Sequence, residues 1–270
     1  MMGLEKTVVH LKTGLIMQEN RLTTLLEEAR KRLPEPFDKE QLRVMADEKK
    51  HFLEALYLSF EDQFRGTRED IKERFKVYLP LFKKAGIGTD GMPILDVGCG
   101  RGEWLELLQE ENLRARGVDH NSLFVKQCRE RGFEVTEGDM MGYLRTLPNA
   151  GLGAVTGFHI IEHLPFGVLI DLLDETVRVL KSGGLAIFET PNSANVSVGS
   201  CNFYTDPTHR KPLPSSLMKF LAEARGLCRV EIMNLHPFPD SFLISGSELA
   251  NRFSEYFYGP QDYAVAGVKP

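Results

Sequence analysis

The sequence predicts an α/β fold: an open, doubly wound parallel sheet preceded by a helical extension. Three observations carry that prediction. Beyond Met92 short apolar runs alternate with amphipathic stretches, glycines stand at positions 98, 100 and 102 directly behind the first such run, and upstream of Met92 the apolar spacing is helical.

At 270 residues, 42% hydrophobic and 26% charged, the chain can bury one sizeable core and carry an appendage. A net charge of −5 gives no general electrostatic reason to bind nucleic acid. The cysteines Cys99, Cys128, Cys201 and Cys228 form no CxxC pair, and no signal-peptide plan is visible. No apolar run approaches the roughly 18 to 20 residues of a membrane span. These features lead us to expect a reduced, cytoplasmic, soluble protein.

The elements follow in order. From Val8 to Leu33, the positions Val8, Leu11, Leu15, Leu22, Leu25 and Ala29 step by three and four once Gln18 is accepted as a polar interruption. Pro34 and Pro36 end this heptad stripe, because proline lacks an amide donor and its ring clashes with the preceding turn. Such a stripe either packs within the chain, self-associates or docks on a partner protein. A second helix is expected within Asp38 to Phe64 and a third from Thr67 to Lys84, closing at Gly86 and Gly88. The expected division is a heptad helix over 1–33, a helical cap over 34–91 and an α/β domain over 92–270.

Ile94 to Val97 is a continuous apolar run, as in a strand buried on both faces. Helices are expected at Glu103–Glu111, Ser122–Arg131, Val168–Leu180 and Ser215–Ala224. Strands are expected at Ala115–Val118, Phe133–Thr136, Ala154–Phe158, Leu185–Glu189, Arg229–Met233 and Tyr263–Val268. Ligands of such a sheet sit beyond the carboxyl ends of its strands.

The loop LDVGCGRGEW lies there. Gly98, Gly100 and Gly102 let the backbone approach a ligand at a helix N-terminus. A dinucleotide fingerprint would place its third glycine at position 103, which is Glu103. Asp96, at the strand end, would repel a pyrophosphate but suits a ligand bearing an ammonium and a sulfonium, as S-adenosyl-L-methionine does. Asp119 in GVDHN is spaced to accept ribose hydroxyls, and Asp139 with the Met140 amide in EGDMM could meet an adenine. Each acid alone also reads as a solvated loop residue or a helix cap.

Over roughly Pro93 to Lys269 the chain resembles the class I S-adenosylmethionine-dependent methyltransferases, a Rossmann-like family. LDVGCGRG looks like its cofactor loop, GVDHN its ribose-binding acid, EGDMM its adenine segment and LKSGGLAIFETPN its fifth strand. The resemblance implies seven strands, the last antiparallel and inserted beside the sixth. A narrower resemblance, carried by FEDQFRGTREDIKERF, FHIIEHLPF and CNFYTDPTHRKPLP, is to the methyltransferases of bacterial surface-polysaccharide clusters, including the O-antigen chain-terminating type. It implies methylation of a hydroxyl on a glycan or sugar-derived acceptor.

A hydroxyl acceptor benefits from a base or a metal as the new bond forms. FHIIEHLP supplies His159, Glu162 and His163, and the inserted segment FYTDPTHRKP supplies His209. His163 is the first choice as base, with His159 and His209 as further catalytic candidates. Packing or capping by the histidines and a plain surface loop are the alternatives. Glu162, His163 and His209 could instead hold a divalent cation, as a Glu-His pair does in similar RNA and quinone O-methyltransferases, but a histidine base without metal is the first reading. Glu61 and Arg65 form an i, i+4 pair, and the resemblance implies that Arg65 meets the methionine carboxylate of the cofactor or an acidic substrate. The rival functions are an O-methyltransferase of small phenols or quinones, expected to have an apolar lid, and a non-catalytic adaptor that keeps the fold.

Overall fold

The computed structural model describes residues 12, 15, 17–29 and 39–270, so Val8, Leu11, Leu33, Pro34 and Pro36 of the expected heptad segment lie outside the described residues. The chain divides into two compact units between Leu53 and Glu54. In the first, residues 17–29 are helical (α1), and Leu15, Leu22, Leu25 and Leu26 are exposed. Helix α2 (Lys39–Phe64) runs across the division.

The second unit begins with helical turns. Thr67 caps α3 (Arg68–Phe75) by accepting from the Asp70 amide. The single helix expected over Thr67–Lys84 is broken: a 3-10 turn, Lys76–Tyr78, separates α3 from α4 (Leu79–Ala85). Pro80 explains the break, since it has no amide to continue the ladder and is tolerated only in a helix's first turn. Gly86 closes α4 in the left-handed region at φ 65°, as the spacing predicts.

Seven strands form one sheet. They are β1 (Ile94–Val97), β2 (Ala115–Asp119), β3 (Val135–Glu137), β4 (Leu152–Phe158), β5 (Leu180–Pro191), β6 (Cys228–Leu235) and β7 (Asp262–Val268). Their order is β3-β2-β1-β4-β5-β7-β6, parallel except for β7, which is antiparallel to both neighbours. The helices between them are α5 (Glu103–Glu110), α6 (Ser122–Glu130), α7 (Met140–Thr146), α8 (Phe166–Val179), α9 (Val196–Ser200), α10 (Ser215–Ala224) and α11 (Glu248–Tyr258). The doubly wound, mainly parallel seven-stranded sheet expected from the sequence is present. Several boundaries differ: β5 starts at Leu180 rather than Leu185, carrying Gly183 and Gly184 through an irregular step against β4, β3 starts at Val135 rather than Phe133, β4 at Leu152 rather than Ala154, α8 at Phe166 rather than Val168, and β6 runs from Cys228 to Leu235 rather than from Arg229 to Met233.

Two apolar layers cover the sheet. One joins α3, α4 and α5 through Phe75, Tyr78, Phe82 and Trp104 to Ile94, Phe158 and Ile187. Phe75 and Phe158 have ring centroids 4.4 Å apart. The other joins α7, α8 and α10 to β1, β4, β5 and β7. Burying one such aromatic or aliphatic side chain contributes roughly 1.5–3 kcal/mol, so both faces resist displacement and the strand ends are rigid platforms. Among the described residues no helix is long and apolar enough to cross a membrane.

Candidate functional site

The loop after β1 turns at three left-handed glycines, with φ 68° at Gly98, 50° at Gly100 and 79° at Gly102. They are glycines for different reasons. A Cβ on Gly98 would lie 2.8 Å from Ile160 Cδ1, and one on Gly102 would lie 2.7 Å from Cys128 Sγ. Beside Gly100 only Arg65 Nη1 comes near, at 3.9 Å. Gly98 and Gly102 let the loop pack; Gly100 keeps an open face.

Asp119, at the end of β2, holds that face in place. Its Oδ2 accepts from the Gly100 amide and its Oδ1 from the Asn121 amide, each at 2.8 Å. Burial raises its pKa, against the pull of those two backbone bonds. Asn121 caps α6 and reaches the Glu54 carbonyl, while Ser122 donates to Glu54 Oε2 at 2.6 Å, so the end of α2 closes over this loop. Asp96, 2% exposed, accepts from Thr156 Oγ1 at 2.7 Å. Burial pushes its carboxyl up to about 7, although the Thr156 hydrogen bond and the Arg65 charge pull the other way.

Arg65 pairs with Glu61 at 2.9 Å, so the i, i+4 ion pair is real, and its Nε is buried without a hydrogen-bond partner. Asp139 is exposed and caps α7 through Oδ2 on the Gly142 amide at 2.7 Å. Its other oxygen is not used, and Met140 opens that helix. An open glycine face, an orphaned guanidinium nitrogen and three carboxylates at successive strand ends fit a ligand with a carboxylate, an ammonium and a diol. Those are the groups of S-adenosylmethionine.

The second half of the site follows β4. His159 adopts φ 54° and bonds through its amide to the Glu189 carbonyl at 2.9 Å. Its Nδ1 lies 3.4 Å from Glu162 Oε1 and its Nε2 3.4 Å from Glu189 Oε1 and 3.8 Å from Asp262 Oδ1. Burial alone would discharge the ring, yet the contacts with Glu162, Glu189 and Asp262 outweigh it and hold the pKa well above the usual histidine range. Tyr78 donates to Glu189 Oε2, and His236 Nδ1 lies 3.0 Å from Asp262 Oδ2.

His163 behaves in the opposite way. Burial lowers its pKa, more than Glu162 raises it, and the ring stays neutral near pH 7. Its Nδ1 meets Thr208 Oγ1 at 2.9 Å, and its ring lies edge-on to His209 with centroids 4.7 Å apart. His209 Nδ1 is bonded to the Phe203 carbonyl and its Nε2 lies 3.8 Å from Glu162 Oε1. Glu162 is buried; its Oε2 accepts from Thr190 at 2.8 Å, while Oε1 has no hydrogen-bond partner. One ligand atom each of Glu162, His163 and His209 falls within 4.8 Å of the others, and a second such group is His159, Glu189 and Asp262.

A cavity of about 480 Å³ is lined by His159, His163, His209 and Asp206 and by Glu61 and Arg65, the last of which also comes near Gly100. The structure thus brings together all three histidines named from sequence and sets Asp96, the glycines, Asp119 and Arg65 around one loop. Sequence reasoning missed Glu189, Asp262, Tyr57 and Thr208. A lone acid in the apolar strand LAIFETP was a signal for Glu189; Asp262 becomes visible only through its antiparallel pairing with Pro191.

A family model described as a methyltransferase domain matches residues 67–232. A probable S-adenosylmethionine-dependent methyltransferase of Mycolicibacterium smegmatis is 27% identical over 174 residues, 64% of this chain and 65% of that one. The ubiquinone biosynthesis O-methyltransferase of Idiomarina loihiensis is 31% identical over 112 residues, 39% of this chain and 44% of that one. Alignments to the mycobacterial relatives span 58–65% of those proteins' length. The crystal structure of a SAM-dependent methyltransferase from Archaeoglobus fulgidus superposes with a TM-score of 0.71 at 36% identity, covering 79% of this chain and 99% of that one.

Proposed function

The chain belongs to the S-adenosylmethionine-dependent methyltransferases, and on that premise we propose that it methylates a hydroxyl of a glycan or sugar derivative. The observation that carries the acceptor class is the cavity lining, where His163, Asp206, Glu189 and Asp262 share one space with Phe60 and Phe64. Carboxylates and imidazoles accept from several hydroxyls at once, and aromatic rings suit the C–H face of a sugar. The narrower sequence resemblance to surface-polysaccharide chain-terminating methyltransferases supports the same class. A phenolic or quinone-like acceptor is the second reading, favoured by the likeness to a ubiquinone biosynthesis O-methyltransferase and by Ile71 and Phe75 in the lining. The intact glycine loop speaks against an adaptor without activity.

Bound S-adenosylmethionine supplies a methyl on a sulfonium, whose transfer leaves a neutral thioether. In that bound state Asp119 would accept from the ribose hydroxyls, Asp96 would take the amino group, Arg65 the carboxylate, and Asp139 with the Met140 amide the adenine. His163 takes the acceptor's proton at Nε2 as the oxygen–carbon bond forms. His159, held as an imidazolium with its two N–H groups turned to Glu162 and Glu189, has no lone pair to take the acceptor's proton and serves to hold those carboxylates in place. His209 faces the acceptor from the inserted segment.

Glu162 Oε1 supports an alternative in which Glu162, His163 and His209 hold a divalent cation that polarises the hydroxyl. Residues 1–33 serve association with a second copy or a partner, the helical turns from Glu54 to residue 91 cap the cofactor, residues 92–270 carry the chemistry, and the free cysteines fit a cytoplasmic setting. Incubation with labelled S-adenosylmethionine and a panel of cell-envelope glycans and quinols tests the acceptor: a methyl ether on a sugar is expected, and label confined to the quinols would overturn the reading.

A further inference from the structure

Thr208 serves two groups at once. Its Oγ1 lies 2.6 Å from Asp206 Oδ1 and 2.9 Å from His163 Nδ1. A hydroxyl has one proton to give, and an ionised carboxylate can only accept. Asp206 is ionised: burial opposes its charge, but the Thr208 contacts and neighbouring histidines hold its carboxyl below the ordinary range. It also accepts from the Thr208 amide at 2.7 Å and from the Tyr57 hydroxyl at 3.1 Å. The Thr208 proton therefore points to Asp206, and the remaining lone pair of Oγ1 can only receive a proton from His163.

We propose that Asp206 and Thr208 are a positioning pair that fixes His163 in its Nδ1–H tautomer and leaves the Nε2 lone pair for the acceptor. The inference rests on the reading of His163 as the base and adds what selects the nitrogen. A free imidazole exchanges its proton between the two nitrogens, so a base without such a partner spends much of its time with the wrong one blocked.

The segment that carries the pair is built to hold that geometry. Asp206 Oδ1 bonds the amide two residues on, which sets the Thr208 hydroxyl by a turn rather than by a free rotamer. The Arg210 amide donates to the Glu162 carbonyl and Arg210 Nε to the His163 carbonyl, each at 3.0 Å, so the same segment grips the backbone of the base. The charged and titratable groups facing the His163 ring are Glu162, His209, Asp206 and His159. Glu162 is committed to Thr190 through Oε2, and its Oε1 lies nearest His159 and His209, so Thr208 is the partner that orients Nδ1.

A long-range ¹H–¹⁵N correlation spectrum of the histidine-labelled full chain with bound S-adenosylhomocysteine reads the tautomer directly, with the His163 signals identified by their loss in His163→Gln. The native protein is expected to show a protonated Nδ1 and an unprotonated Nε2. Thr208→Val should lose that pattern and lower kcat by roughly 10- to 100-fold, with cofactor affinity within about twofold, while Thr208→Ser restores both. Should Thr208→Val fold poorly, Thr208→Ala serves, since it removes the same hydroxyl and keeps the backbone amide from which Asp206 Oδ1 accepts. A native protein with a protonated Nε2, or an unchanged spectrum in the folded variants, overturns the proposal. The spectrum needs no acceptor, so it separates from the base reading: full turnover in His163→Ala would remove the base and leave the tautomer assignment to stand or fall on the spectrum.

Discussion

The Gly100 amide donates to Asp119 Oδ2 across 2.8 Å, tying the open glycine of the loop after β1 to the end of β2. One carboxylate thus shapes the loop and, in the proposed function, also accepts from the ribose. Replacing it removes both functions. Asp119→Ala should weaken S-adenosylhomocysteine binding by roughly 2–4 kcal/mol, measured by calorimetry. Unchanged affinity would remove the ribose assignment.

The glycines of this loop should separate by readout. Each substitution incurs about 1–2 kcal/mol of left-handed strain. Gly102→Ala adds a clash with Cys128 Sγ and Phe133, so it should lower Tm more than Gly100→Ala does. Gly100→Ala places its methyl on the open face and should cost cofactor affinity beyond its effect on Tm. Equal losses of stability and affinity in the two variants would contradict the division of roles.

Asp96 predicts a proton release. Burial raises its carboxyl to about 7, so the ligand-free protein carries a fraction of that proton just below neutrality. A bound ammonium favours the carboxylate, so the bound state holds fewer protons than the free one. Affinity should therefore rise with pH up to about 7 and level off above it. Calorimetry at about pH 6.5 in buffers of different ionisation enthalpy should show protons leaving on binding, and Asp96→Asn should abolish the release. A buffer-independent heat in the native protein would dissociate Asp96 from the amino group.

Leu15, Leu22, Leu25 and Leu26 are exposed along the N-terminal segment. Deleting residues 1–33 should reduce the mass seen by light scattering from that of an oligomer to that of one chain, with cofactor binding intact. An unaltered mass accompanied by lost solubility would favour packing of this stripe within its own chain.

Strand positions were legible because β1 and β4 are buried throughout and read as apolar runs interrupted only by Asp96 and Thr156. The glycine loop after β1 was legible because left-handed turns at close approach demand glycine. Helix α7 was not foreseen: it is seven residues long and carries Gly142, too short for a periodic face. Helix α11 was not foreseen either, since Leu249, Phe253 and Tyr256 stay exposed and its aromatic-rich run suits a strand as well as a helix. In the acceptor cavity the histidines stood out by type. Their partners did not, because Glu189, Asp262 and Thr208 reach them through sheet register and loop closure, which no local spacing encodes.

Turnover of native protein and of His163→Ala, each with and without a chelator, tests most directly the claim that His163 activates an acceptor hydroxyl. Loss of a general base should lower kcat by about 10²- to 10⁴-fold while cofactor affinity holds, and chelation should leave the native enzyme active. Activity abolished by chelation and restored by manganese or magnesium would contradict the account, and would make Glu162, His163 and His209 ligands of a metal that polarises the hydroxyl in place of a base.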